Sequence, residues 1–354
     1  MSIDNVVLRS RRREVRRALT VAGALTAAFF GFFGSMASVE AADSAVILMY
    51  QRFDEPNQAG NISSATFKAH LAELADPRYH VMALDAVIAA LKSGTALPDR
   101  AIAITIDDAY ASAYAKAAPL LKAHGFPYTV FVTSDRVDEG GAGYMNWDQI
   151  RSLADAGVEI ANHGARPFHM VEMNDAADRE NVTRGAMRIE QEVGKAPTVF
   201  AYPYGEFAKE ERRLISKLGY VGAVGTTSGV AQSGQSAYAL PRFSLSEAYA
   251  GIDRFRTIVN ALPIPVADLL PADPKLANNP PSLGFTLTQN VPGLDGLTCV
   301  PSDGSAADIE RLGNRVEVRF DKAFPAGNGR VTCTTRTPDN RVRWLGVPVY
   351  VPKK

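Results

Sequence analysis

Two adjacent carboxylates, Asp107 and Asp108, close the apolar run Ala101-Ile102-Ala103-Ile104-Thr105-Ile106. Acidic side chains at the end of a buried, β-branched run mark the point where a strand leaves the core and enters a loop. Successive strand residues face opposite ways, so the two carboxylates share a site only where the strand frays. If one of them holds a metal ion, the ion's charge keeps both ionised and leaves the other free to act as a base. The competing reading is a helix N-cap with a first-turn acid, since Asp is favoured at both positions. Two further stretches bear on the choice. His163 closes the strand-like segment that begins at Val158, His169 lies beyond it, and the turn Pro203-Tyr204-Gly205 follows the segment Thr198–Tyr202.

The elements around these residues alternate. Apolar runs at Ala45–Tyr50, Ala101–Ile106, Tyr128–Val132, Val158–Asn162, Thr198–Tyr202 and Tyr220–Val224 read as strands. Amphipathic segments read as helices near Ser64–Leu74, Leu84–Leu91, Ala113–His124, Trp147–Ala156, Asp175–Val193 and Glu210–Leu218. Strands alternating with helices predict a parallel sheet covered by helices, either an open sheet or a barrel. Either would gather the strand ends, and with them Asp107, Asp108, His163 and Tyr204, onto one face.

The 354 residues suffice for one large α/β domain and a small second one. Lys plus Arg and Asp plus Glu both number 38, so nothing points to a nucleic-acid partner or a polyanionic substrate. Arg11, Arg12, Arg13, Arg16 and Arg17 precede the apolar run Ala18–Gly34, and Val39-Glu40-Ala41 offers a small-x-small cleavage site. Residues 1–42 therefore read as an export signal or, uncleaved, as a membrane anchor, which sends the body to the periplasm or outside the cell. Pro, Ala and Asn are rich in residues 263–281, which read as a linker, and short strands with Gly/Asn/Asp turns fill residues 282–354. Cys299 and Cys333 are the only cysteines. In an oxidising compartment they predict one disulfide stapling this small all-β unit.

Taken in order, Thr105-Ile106-Asp107-Asp108, the histidine segment from His163 and Tyr202-Pro203-Tyr204-Gly205 resemble the motifs of the polysaccharide deacetylase family, the carbohydrate esterases with a NodB-type domain. The resemblance runs from about Ala45 to Arg242. Met49-Tyr50-Gln51-Arg52-Phe53 is like the branch that deacetylates exported poly-β-1,6-N-acetylglucosamine. It implies a distorted or incomplete (β/α) barrel over residues 43–262. It also implies roles: Asp107 as general base towards water, and Asp108, His163 and His169 as ligands of a divalent metal, Zn²⁺ before Co²⁺ or Ni²⁺. Neutral imidazoles with one carboxylate leave positions on such an ion open for water and an acetyl carbonyl. The Tyr204 N–H would face the oxyanion, held by Pro203 and Gly205. Tyr204, Tyr202 and Trp147 are the candidate sugar contacts, with packing at a helix start as the alternative for Trp147.

The chain departs from the family pattern in three places. The place of the second histidine of the usual pair is Pro167, and the next histidine is His169. The histidine that serves as general acid is missing: position 51 is Gln, which has no proton to give, and no histidine follows His169. The arginine that often precedes Pro-Tyr-Gly is absent, and Arg242 is the candidate to orient Asp107 instead, against a surface ion pair. His70 and His80 read as surface residues and His124 as a helix-end residue. Trp344 reads as core.

The expected function is an exported, metal-dependent hydrolase that removes N-acetyl groups from a polysaccharide of the exopolysaccharide type. A non-catalytic polysaccharide-binding relative, or a glycan O-acetyl esterase, are the alternatives that the missing acid leaves open.

Overall fold

The computed structural model describes residues 41–141 and 143–353. The expected signal or anchor lies outside them but for Ala41–Ala42, a short strand paired with Leu97–Pro98. Among the described residues no helix is long and apolar enough to cross a membrane.

Ala101–Ile106 is buried at every position because it is flanked on both edges. Ser44–Tyr50 runs parallel along one edge, while His80–Met82 and then Thr129–Val132 share the other. The parallel order continues through Glu159–Asn162, Val199–Ala201 and Gly222–Val224. At the opposite edge, Ser44–Tyr50 takes Ala231–Gln232 antiparallel and Phe243–Ser244 parallel. Leu240 bridges Val224, so the stretch from Leu240 to Ser244 leads from the last strand round to the first. The sheet is thus curled into a distorted barrel, the form that the family resemblance implies and one of the two that the alternation of elements allows.

Side chains alternate across the pleat. Val46, Leu48 and Tyr50 join one apolar cluster with Ile104, Phe67 and Phe255, whereas Ala45 and Ile47 join another with Ala103, Val87 and Ile88. Helices cover both. Ser64–Leu74 starts from Ser63, whose side chain accepts from Thr66 N, and Trp147–Asp155 starts from an Asn146/Gln149 capping box. Asp175–Val193 lies against the loop after His163. A Cβ at Gly185 would stand 2.6 Å from Asn162 Oδ1 and 2.8 Å from Ala165 N, so this close approach requires glycine.

Two readings change here. His70 is fully buried: its Nδ1 bonds Tyr50 OH at 3.0 Å, its Nε2 bonds the Ala250 carbonyl at 2.7 Å, and its ring stacks on Phe255. It is a satisfied core residue, not a surface one, and burial lowers its pKa. The segment read as a linker carries strands. Leu262–Pro263 pairs with Val342–Val351, and Val266–Leu270 pairs with Leu283–Leu287. Prolines are tolerated there because these strands lie at sheet edges.

The C-terminal region holds two four-stranded sheets around Leu283, Phe285, Val316, Val318, Val347 and Val349. Cys299 faces Cys333 across an antiparallel pair and is disulfide-bonded to it. Trp344 packs edge-on against Phe243 of the barrel at 5.0 Å.

Candidate active site

Because the strands run parallel, their carboxyl ends deliver Gln51, Asp107, Thr133, His163 and Tyr202 to one rim. Asp107 N donates to Tyr50 O at 2.9 Å, so the first carboxylate is fixed by the last bond of the ladder. Asp108 and Ala109 then turn in the left-handed region, at φ 68° and 53°. Non-glycine residues rarely adopt that conformation, and they persist in it where the surroundings hold them.

Asp107 is only 2% exposed and Arg242 is fully buried. The guanidinium grips both carboxylate oxygens at 2.7 Å, donates to Thr105 Oγ1 at 3.0 Å and, through Nε, to the Gly225 carbonyl at 2.7 Å. This is a bidentate, charge-assisted clamp inside the barrel, so Arg242 orients Asp107 and is not a surface ion pair.

Asp108 is less enclosed. Its Oδ1 accepts from Thr133 Oγ1 at 3.3 Å and lies 3.7 Å from His163 Nε2, while its Oδ2 accepts from the Gln51 amide. His163 Nδ1 bonds the Ala201 carbonyl at 2.7 Å. A carbonyl oxygen only accepts, so Nδ1 carries the proton and Nε2 turns its lone pair towards Asp108. Two acceptors facing each other across 3.7 Å fit a divalent cation between them.

The third expected ligand is not gathered onto this pair. His169 Nδ1 bonds Glu206 Oε2 at 2.6 Å, and its ring stacks on Tyr204 at 4.3 Å. Among the described residues no group of three His, Cys, Asp or Glu side chains is placed to hold a metal ion. Even so, the carboxylate on Nδ1 leaves Nε2 of His169 free, which is the tautomer a ligand needs.

Tyr204 stands at φ 58° in the turn and is 50% exposed. Its carbonyl accepts from Thr226 Oγ1 and Asn328 Nδ2, and no acceptor for its N–H occurs among the described residues. That peptide therefore keeps a donor available at the rim.

Two expected sugar contacts are corrected. Tyr202 is fully buried between Phe200 and Phe207, with its hydroxyl donated to the Tyr238 carbonyl. Trp147 is largely buried, gives Nε1–H to Asp138 at 2.7 Å and lies under Arg188. Both aromatics have satisfied their polar tips inside the protein, which leaves nothing for a sugar.

Other residues at the rim went unnoticed in the sequence. Glu206 is 6% exposed and anchors His169. Tyr110 stacks on Tyr144 at 4.7 Å, under the Arg52 guanidinium at 3.5 Å. Burial and the nearby Asp108 charge push the Tyr110 hydroxyl well above its usual range. Their only sequence signal is position: Tyr110 two residues past Asp108, and Glu206 just after the Pro-Tyr-Gly turn.

Residues 94–223 match the family model of the polysaccharide deacetylases. YxkH of Bacillus subtilis, a polysaccharide deacetylase by assignment, is 24% identical over 205 residues, 58% of this chain and 72% of its own. The poly-beta-1,6-N-acetyl-D-glucosamine N-deacetylase of Escherichia coli K12 is 24% identical over 216 residues, 49% of this chain and 32% of its own, so the chain spans about a third of that relative. In fold, the barrel is like the deacetylase PplD of Streptococcus pyogenes in complex with acetate, with a TM-score of 0.57 and 20% identity over 61% of this chain and 98% of that one. Residues 94–223 thus carry a polysaccharide deacetylase domain, which indicates a deacetylase hydrolase.

Proposed function

We propose that the rim built on Asp107, Asp108 and His163 removes N-acetyl groups from N-acetylglucosamine units of an exported polysaccharide, with a poly-β-1,6-linked exopolymer as the substrate that best suits the family branch. The observation that carries this reading is the buried clamp of Arg242 on Asp107, next to an Asp108–His163 pair shaped for a cation. A capping aspartate at a helix start needs no such clamp.

Asp108, His163 and, as proposed third ligand, His169 would hold a divalent metal, Zn²⁺ before Co²⁺ or Ni²⁺. Bound there, the ion would polarise the acetyl carbonyl and ease deprotonation of water. The chain's own groups do the rest. Arg242 keeps the Asp107 carboxylate in one orientation and leaves each oxygen a free lone pair with which to take the proton of the attacking water. The Tyr204 N–H stabilises the charge that develops on the carbonyl oxygen. The half-exposed Tyr204 ring offers the apolar face that a sugar ring packs against. Gln51 hydrogen-bonds Asp108 and has no proton to transfer, so the proton gained by Asp107 is the one returned to the leaving group. The body works outside the cytoplasm, in the periplasm or secreted, and an uncleaved N-terminus would tie it to a membrane.

That same Gln51 favours one second reading, an O-acetyl esterase on a glycan, because an alkoxide leaves with less need of a strong acid than an amine does.

The experiment is acetate release from β-1,6- and β-1,4-linked N-acetylglucosamine oligomers and from an aryl acetate, with Zn²⁺, Co²⁺ or Ni²⁺ added, beside Asp107→Asn. Metal-dependent release from an oligomer that the variant abolishes is the expected result. Release from the aryl acetate alone moves the assignment to the esterase. Binding of oligomers with no release under any metal refutes catalysis and leaves a polysaccharide-binding relative.

A further inference from the structure

The two loops that carry His169 and Tyr204 run out beyond the sheet, and both are met from outside the barrel. Lys275 Nζ donates to the Val171 carbonyl at 2.7 Å, two residues past His169. Tyr350 is 2% exposed, packs with Val171 and Ala208, and gives its hydroxyl to the Glu172 carboxylate. Lys353 Nζ lies 3.1 Å from the same carboxylate. On the other loop, Lys209 N donates to Asp273 Oδ1 at 3.1 Å, and Asn328 Nδ2 donates to the Tyr204 carbonyl at 3.3 Å.

These contacts come from one edge of the C-terminal β unit. Tyr350 N donates to the Pro274 carbonyl at 2.6 Å and Leu276 N to the Tyr350 carbonyl at 2.8 Å, so the segment from Asp273 to Leu276 is stitched onto the last strand. The unit has no exposed aromatic platform among its described residues. Its exposed large apolar side chains are Leu270, Val300 and Leu312, which do not stack on sugars, while Phe285 and Phe324 are in its core and Trp344 faces the barrel. Where its chemistry goes is the pair of loops.

We propose that the C-terminal β unit is a brace for the catalytic rim: Lys275, Tyr350 and Asn328 are positioning residues that fix the histidine loop and the left-handed Tyr204 turn relative to Asp107. A non-glycine residue at φ 58° is held there by its surroundings, and two of the groups on its carbonyl are Thr226 of the barrel and Asn328 of the unit. The functional meaning of the brace rests on the deacetylase reading above; its existence does not.

The test uses the full chain with Tyr350→Phe, Lys275→Met and Asn328→Ala, singly and combined. Arg319→Ala, a surface residue of the same unit paired with Glu310, is the control. The combined variant is expected to lose kcat by about 10- to 100-fold, the scale of a misplaced reacting group, with KM near that of the parent. Hydrogen exchange in residues 163–173 and 203–209 accelerates while Ala101–Ile106 stays protected. Lys275→Arg, which keeps the donor, recovers most of the loss from Lys275→Met. A folded combined variant with parental kcat and parental loop exchange overturns the proposal. If the combined variant does not fold, Tyr350→Phe, which removes one hydroxyl and no packing, carries the same test. If the parent releases no acetate, the deacetylase reading has failed, and loop exchange alone decides: faster in the variant supports the brace, unchanged overturns it.

Discussion

Replacing Arg242 with Met removes the donors from both oxygens of a carboxylate that is 2% exposed, and from the Gly225 carbonyl. Breaking a buried ion pair from one side leaves an uncompensated charge in a poor solvent, which costs about 3–5 kcal/mol. For a chain of this size, that is a fall in melting temperature on the order of 5–10 °C. The Asp107→Asn/Arg242→Met double variant separates the pair from the packing. Once the charge is gone, the arginine has less to hold, so the double variant is expected to be more stable than Arg242→Met alone, with a coupling of about 1–3 kcal/mol. Catalysis should fall more steeply than stability, because a mispositioned base loses a factor of about 10²–10⁴. The assays are thermal unfolding of the four members of the cycle and acetate release by the folded ones. Arg242→Met unfolding within roughly 2 °C of the parent, the scale of a surface change, with acetate release intact, would refute the claim that this clamp builds the site.

Gln51→His is expected to raise acetate release from N-acetylated oligomers by about 10-fold or more, by restoring a side chain that can donate a proton; an unchanged rate on amides would show that proton return does not limit the reaction. Glu206→Gln should weaken Zn²⁺ binding by about 10- to 100-fold in a chelator competition, since the carboxylate fixes the tautomer of His169. Unaltered affinity would remove His169 from the ligand set. Asp178 is 2% exposed with one oxygen unpartnered, and burial, reinforced by Glu211 and Asp175, pushes its carboxyl up to about 7. Its folded pKa lies above the unfolded value, so stability is full below about pH 4 and declines as pH rises through about 7. Asp178→Asn should therefore stabilise the protein by roughly 1–3 kcal/mol at pH 8, with the gain gone below about pH 4; a gain that does not vary with pH in urea titrations would contradict this.

Parallel strands buried on both faces read as unbroken apolar runs, which is why the alternation of strands and helices was legible, and why Asp107-Asp108 stood out at the end of one of them. What lay between elements was harder to read. A tyrosine hydroxyl is satisfied equally by a sugar or by a carbonyl, and nothing local to Tyr202 reveals that its partner is the Tyr238 carbonyl. For Trp147 the packing alternative is the one realised, its indole N–H going to Asp138. His70 did carry a signal. It shares the spacing of Phe67, Leu71 and Leu74, the buried face of its helix, and so belonged inside. The stretch from Pro263 has the composition of a linker, yet edge strands accept proline on their open side, so composition alone does not separate the two.

The histidines show how the site divides its work. His70 is locked in the core, His80 bonds the Asp99 carbonyl, and His124 ends a helix before Gly125. Only His163 and His169 remain at the rim, and each has Nδ1 committed to an acceptor on the chain. Both are thereby left with Nε2 as the free lone-pair donor, the atom with which a histidine ligates a metal. Gln51 takes the remaining position and spends its amide on Asp108. In the proposed mechanism proton traffic falls to Asp107, whose clamp by Arg242 holds one carboxylate in place to take a proton and return it. A site of this kind depends on geometry more than on a tuned acid, which is why the rate should respond so strongly to whatever holds the His169 and Tyr204 loops in place.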